Sequence, residues 1–224
     1  MRAWNHHSRV IGERNARAAV EAVRSGTAAG EAPDGKSHKL MLTALAADCR
    51  QLSDLPQGSM RIERKKALLA QWLPVVEKYL RSGGKYRNVI LTQVMVWAFD
   101  IADIDTAMRL ARVAVAQEQP MPERFRRDVR TGVADLLLGW IATRNGQPVD
   151  PYFSEIFGEI FPNDRPGWQI HDEIKIKYLK VAISRNLATH PETALKLCLL
   201  AEKISPSKAK VKTVKEKLLK QLRK

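Results

Sequence analysis

The chain has 224 residues, and its 38 Lys and Arg against 24 Asp and Glu give a formal net charge of +14. With 45% hydrophobic residues, most of it is expected to fold around one good core or two small ones. Charge so one-sided points to a polyanionic partner, nucleic acid before an anionic membrane surface. Cys49 and Cys198 lie too far apart, with no ligand partners nearby, to read as a disulfide framework or a zinc site. The longest apolar stretches, such as Leu136 to Ala142, fall short of a bilayer span. The start MRAWNHHSRVIGERNAR lacks the apolar centre of a secretory signal, so a reducing cytoplasm is expected.

Nearly every apolar pattern has helical spacing and none alternates as a half-buried strand does, which predicts an all-α fold. Residues 2–24 carry Arg2, Arg9, Arg14, Arg17 and Arg24 against Glu13 and Glu21, and SGTAAGEAPDG follows at 25–35. Residues 1–35 therefore read as a flexible basic N-terminal arm and linker. A central helical core is expected over 36–145. Its first helix, 37–52, carries Leu40, Leu42, Leu45, Cys49 and Leu52, and DLPQGS at 54–59 breaks it. The second, near 60–81, places Leu68, Trp72, Val75, Val76, Tyr79 and Leu80 on one side; Pro74 predicts a kink or a division, and Gly83-Gly84 a stop. Residues 86–101 and 105–118 predict a helical hairpin with Val94, Trp97 and Ile101 on one face. Asp105 is the expected N-cap of its second helix, and Ala107, Leu110, Ala111 and Ala114 form the small-residue packing face.

Phe125, Val129, Val133, Leu136 and Trp140 then predict a helix over 122–143. Arg124, Arg126, Arg127 and Arg130 would occupy its first turns, where cations oppose the helix dipole. That cost argues for a functional reason, phosphate contact or ion pairs between subunits. The rest, 146–224, reads as a C-terminal helical hairpin with a Lys-rich end helix. NGQPVDP and FPNDRPG flank a short helix with Phe153, Ile156, Phe157 and Ile160, and the hairpin follows at 168–186 and 191–204. A shift of 87 positions aligns Val94, Thr106, Ala107, Leu110 and Ala114 with Val181, Thr193, Ala194, Leu197 and Ala201. Antiparallel hairpins with tetratricopeptide-like packing are expected, although two copies are fewer than a solenoid needs. Ser205-Pro206 opens a last helix, 206–223, with Val211, Val214, Leu218 and Leu222 on one stripe. Residues 203–224 hold eight Lys and one Arg against Glu216, with Lys208, Lys212 and Lys215 expected to face outward. The candidate DNA-binding residues are therefore Arg124, Arg126, Arg127 and Arg130 with Lys208, Lys210, Lys212, Lys215 and Lys217.

Catalytic machinery is not legible. Asp164 followed by Glu173-Ile174-Lys175 matches a restriction-type pattern of acids, but those residues belong on adjacent strands, and no sheet is expected. His171-Asp172-Glu173 and His6-His7 are consecutive and cannot converge on one ion; His38 and His190 stand alone. Gly83-Gly84-Lys85 lacks the strand and hydroxyl residue of a phosphate-binding loop. A helix-turn-helix is not placed: residues 37–72 hold two helices, with a break that looks long for the tight turn.

One segment carries a resemblance. QWLPVVEKYLRSGGKYRNVILTQVMVWAFDIADIDTAMRLARVAV, followed by MPERFRRDV, holds Trp72-Leu73-Pro74, Val94-Met95-Val96-Trp97, Asp103-Ile104, Ala107 and Met121-Pro122, with Leu45-Ala46-Ala47-Asp48 upstream. It resembles the small terminase subunits of temperate contractile-tailed phages, the GpM-type family often named terminase endonuclease subunit, well over 38–140 and loosely over 168–224. The resemblance implies a homo-oligomer in the host bacterial cytoplasm that recognises the end site of double-stranded viral DNA, called cos. It also implies control of a large subunit holding the ATPase motor, and the family name attaches endonuclease activity. No cofactor is expected in this chain, and Mg²⁺ only in the terminase complex. The alternative is a non-enzymatic helical-repeat scaffold for an acidic protein partner.

Overall fold

The computed structural model describes Arg17, residues 35–144 and residues 146–223. Of the expected basic arm, 1–35, only Arg17 and Gly35 are among them. The described residues form helices and their connections, with no strand among them. These residues fall into two compact units that meet in the chain at Val129 and Arg130.

The first unit holds α1 (Gly35–Asp54), α2 (Ser59–Arg81), α3 (Val89–Asp100) and α4 (Ile104–Ala116). Every residue of α3 from Ile90 to Phe99 is buried, so this apolar helix is central and packs against both α2 and α4. Ala107, Leu110, Ala111 and Ala114 are buried on α4, as their small-residue spacing predicts. Asn88 caps α3, its side chain accepting from Ile90 N and Leu91 N at 3.0 and 3.4 Å. Asp103, not Asp105, caps α4 by accepting from Thr106 N at 3.3 Å; Asp105 sits in the first turn, where its charge suits the helix dipole. Pro74 does not divide α2, which runs unbroken through it. The carbonyl orphaned by the missing N–H is that of Ala70, an exposed position open to solvent, and buried Trp72, Val75 and Val76 hold the helix on either side. Gly83 takes φ 66 at the end of α2, and a side chain at Gly84 would meet the Tyr79 ring at 2.5 Å.

The second unit follows, with α5 (Val129–Ala142) running into it from the last residue of the first. It adds α6 (Tyr152–Ile160), α7 (Asp172–Asn186), α8 (Pro191–Ile204), the single turn α9 (Pro206–Ala209) and α10 (Lys212–Leu222). Buried Tyr178 of α7 donates to Ala134 O of α5 at 3.0 Å and stacks on Phe153 of α6 with ring centroids 5.7 Å apart. Ile176, Leu179 and Ile183 of α7, Ala194, Cys198 and Ala201 of α8, and Ala209, Val211 and Leu218 form one core cluster.

The single end helix expected over 206–223 is broken, because Lys210 adopts the left-handed conformation at φ 49. Ala209 and Val211 are both buried, and on a continuous helix residues two apart face nearly opposite ways. The turn at Lys210 lets both enter the core. Leu222, expected on the docked stripe, is exposed.

Candidate nucleic-acid interface

The arginine cluster does not lie in the first turns of a helix, for α5 begins only at Val129. Arg124, Arg126 and Arg127 stand exposed on the irregular segment 121–128 between α4 and α5, and Arg130 alone is in the first turn, half-buried. The segment turns where Phe125 N donates to Pro122 O at 2.8 Å, with Pro122 buried beneath it. A helix starting at 122 would put three more cations against its own dipole; here they stay ahead of it. The Arg124 guanidinium lies 5.1 Å from the Phe125 ring centre. Neither Arg127 nor Arg130 is without a partner.

A polar knot that sequence reasoning missed anchors the start of this segment. Buried Gln119 accepts from Asn88 N at 2.6 Å, and its amide reaches Tyr79 Oη and Tyr86 O, each at 3.0 Å. Gln117 donates to Gly84 O at 3.0 Å, and Thr92 Oγ1 donates to Pro120 O at 2.6 Å. The end of α4 is thereby tied to the α2–α3 connection, which fixes where the arginines emerge. Nothing in the local pattern marks these glutamines, because their partners lie about thirty residues away.

The lysines divide by environment. Lys208 is exposed but pairs with Glu173 at 2.5 Å, and its carbonyl accepts from Lys180 Nζ at 3.3 Å. Lys215 does not face outward as expected: it is half-buried against Glu202 at 2.5 Å. On α10 it borders the stripe of half-buried Val214 and buried Leu218, its stem lying along apolar surface while its ammonium meets Glu202. Lys210, Lys212 and Lys217 are exposed, joined by Lys220 on α10 and Arg223 at its C-cap. From Lys212 to Arg223 these side chains span about 16 Å of helix axis. The arginines 124–127 thus belong to the first unit and the lysines to the second.

The acids singled out for a nuclease role do not converge. Glu173 is taken up by Lys208 and Asp172 by Lys175 at 3.6 Å, while Asp164 is exposed in the 161–171 connection. Among the described residues, no three His, Cys, Asp or Glu side chains are placed to hold a metal ion. His6-His7 lies outside the described residues. His190 precedes α8, His171 precedes α7, and His38 meets Tyr86 edge-on with ring centroids 5.6 Å apart. No helix among the described residues is long and apolar enough to cross a membrane. Burial pushes the Cys49 thiol up, against the opposing charges of Arg124 and Arg50.

Residues 42–172, more than half of the chain, match the family model described as phage small terminase subunit. The chain belongs to that family. The matched segment of this small terminase subunit family member includes all four candidate arginines, whereas lysines 208–217 lie beyond it. The chain is 33% identical over 154 residues to the "Probable terminase, endonuclease subunit" of Haemophilus phage HP1 (strain HP1c1), covering 67% of this chain and 53% of the relative. It is 37% identical over 90 residues to the "Terminase, endonuclease subunit" of Escherichia phage P2, covering 40% and 36%. The matches thus span about half or less of these relatives' lengths. No solved structure matches the chain.

Proposed function

We propose that this chain is a DNA-recognising small subunit of a terminase of the temperate contractile-tailed phage kind, binding double-stranded viral DNA at the cos site. It acts with the large ATPase subunit in cleavage and packaging, as a homo-oligomer in the host bacterial cytoplasm. The observation that carries this reading is the family match over 42–172, which contains the exposed arginine segment 124–127. Two relatives named as terminase endonuclease subunits support it. In this reading Arg124, Arg126, Arg127, Arg130, Lys208, Lys210, Lys212, Lys215 and Lys217 meet phosphate. Lys210, Lys212 and Lys217 do so most readily, because they are exposed and no ion pair holds them among the described residues. Mg²⁺ enters only with the assembled complex. A cos-containing fragment and an unrelated duplex, compared by gel shift at two salt concentrations, test it. Tighter binding of the cos fragment, with a log–log salt slope of about −0.9 per phosphate contact, is expected. No duplex binding at low salt would overturn the reading.

A second reading rests on the small-residue packing of α3 on α4 and of α7 on α8. Antiparallel hairpins of tetratricopeptide-like design would then serve as a scaffold for an acidic protein partner. Salt-insensitive binding to such a partner, without DNA binding, would favour it.

A further inference from the structure

Leu199 of α8 is 52% exposed, and Leu219 and Leu222 of α10 are 37% and 39% exposed. Single surface leucines are ordinary, but these are not scattered. α8 ends at Ile204 and α10 starts at Lys212, and Glu202 near that end pairs with Lys215 near that start at 2.5 Å. Further along, Leu218 enters the same cluster as Cys198 and Ala201, so α10 runs back along α8. One turn back from Glu202 stands Leu199, and one turn on from Lys215 stands Leu219. On helices running opposite ways, both fall on the side of the pair that carries the Glu202–Lys215 bridge. Half-buried Leu195 and exposed Leu222 extend the two stripes by another turn. Two leucine stripes thus lie side by side in the second unit, with the leucines of each about one turn, ~5.4 Å, apart.

The charge around the stripes is unbalanced. The helix neighbours of Leu199, three and four residues away, are Leu195, Lys196, Glu202 and Lys203; those of Leu219 are Lys215, Glu216, Leu222 and Arg223. Four cations stand with two acids, and that excess holds however the six pair among themselves. A second copy would bring the same patch across a twofold axis and set the same excess against it. Phosphate would meet the cations but leave the leucines in water. An acidic amphipathic helix satisfies both features. Its apolar side chains, at three- and four-residue steps, lie between the stripes, and its carboxylates meet the cations at the rim.

We propose that the α8–α10 face of the second unit is a docking surface for an acidic amphipathic helix of another protein. Leu199 and Leu219 form its apolar centre, and Lys196, Lys203 and Arg223 its charged rim. The Glu202–Lys215 bridge is the positioning pair that holds the two stripes in register. The proposal goes beyond the nucleic-acid reading and does not rest on it, for none of these five centre and rim residues belongs to the phosphate-contact set.

The probe is a fluorescein-labelled helical peptide with leucine at every third or fourth position and glutamate elsewhere, titrated with the full chain by fluorescence anisotropy. Its counterpart with lysine in place of glutamate is the control. The acidic peptide should bind and the basic one should not. Leu199→Gln with Leu219→Gln keeps good helix formers at exposed positions, so melting should be unchanged while peptide affinity falls about tenfold or more. Lys196→Gln with Lys203→Gln should weaken the peptide about three- to tenfold, with a smaller loss at high salt. Both variants should bind a 30-base-pair duplex as the wild type does. No binding of the acidic peptide, or binding that neither variant weakens, would overturn the proposal. Self-association in sedimentation velocity that the leucine variant abolishes, without peptide binding, would overturn it in favour of a second copy. Duplex binding lost in the leucine variant, again without peptide binding, would assign the face to nucleic acid instead. Peptide binding as expected in a chain that binds no duplex would remove the nucleic-acid reading and leave this proposal standing.

Discussion

Trp72 and Trp97 are both fully buried in the first unit, yet their indole N–H groups differ in what they meet. Trp72 donates to the Asp48 carboxylate at 2.9 Å, whereas the Trp97 N–H finds no acceptor among the described residues. Replacing each by Phe removes a similar volume, so the transfer and cavity terms largely cancel between the two variants. What remains is the hydrogen bond. Trp72→Phe loses one to a charged acceptor, about 1.5–3 kcal/mol, while Trp97→Phe removes a buried donor without a partner among the described residues. Asp48 keeps Gln71 and Arg64, which favours the lower end of that range. Trp72→Phe should therefore be less stable than Trp97→Phe by about 2 kcal/mol. Equilibrium urea unfolding followed by far-ultraviolet circular dichroism measures it, with equal m-values as the control. A difference below about 0.5 kcal/mol, or the opposite order, would refute the reasoning.

Lys210→Gln, Lys212→Gln and Lys217→Gln together should weaken binding to every duplex alike and flatten the salt slope by about three contacts, while Lys215→Gln should flatten it by less than one contact because Glu202 already shares that charge; fluorescence anisotropy across salt concentrations separates them. Arg124 favours the Cys49 thiolate, so Arg124→Ala should push the thiol further up and slow alkylation at a fixed alkaline pH; a pH–rate profile that moves down instead would contradict the geometry. Burial raises the Asp150 carboxyl, but hydrogen bonds from Ser154 and Arg185 outweigh it and hold the group below 3.8. Its contribution to stability is thus present above pH 3.8 and lost as pH falls, and Arg185→Ala should shrink that acid-side loss in pH-dependent melting curves. The purified chain with Mg²⁺ should leave supercoiled plasmid intact; cleavage abolished by Asp164→Ala or Glu173→Ala would overturn this expectation.

What the sequence by itself determined was local and periodic. Helical spacing placed α2, α3, α4, α7 and α8 within a few residues, because the apolar stripe that defines each helix is also the face it buries. Net charge and its concentration at the Lys-rich end were legible from composition alone. Only tertiary structure decided where a pattern stops. The stripe from Phe125 to Val129 fits a helix, yet the buried Pro122 and the dipole leave the arginines ahead of α5. Ala209 and Val211 both enter the core, so the end helix breaks at Lys210. Lys215 and Lys212 are alike in sequence, and only Glu202 across from one of them separates a paired cation from an exposed one. Arg17 and Arg64 meet at Asp48 from 31 residues before it and 16 after, and no spacing rule reports that convergence. Helix periodicity is a property of neighbouring residues, whereas ion pairing and burial depend on which distant segments packing brings together.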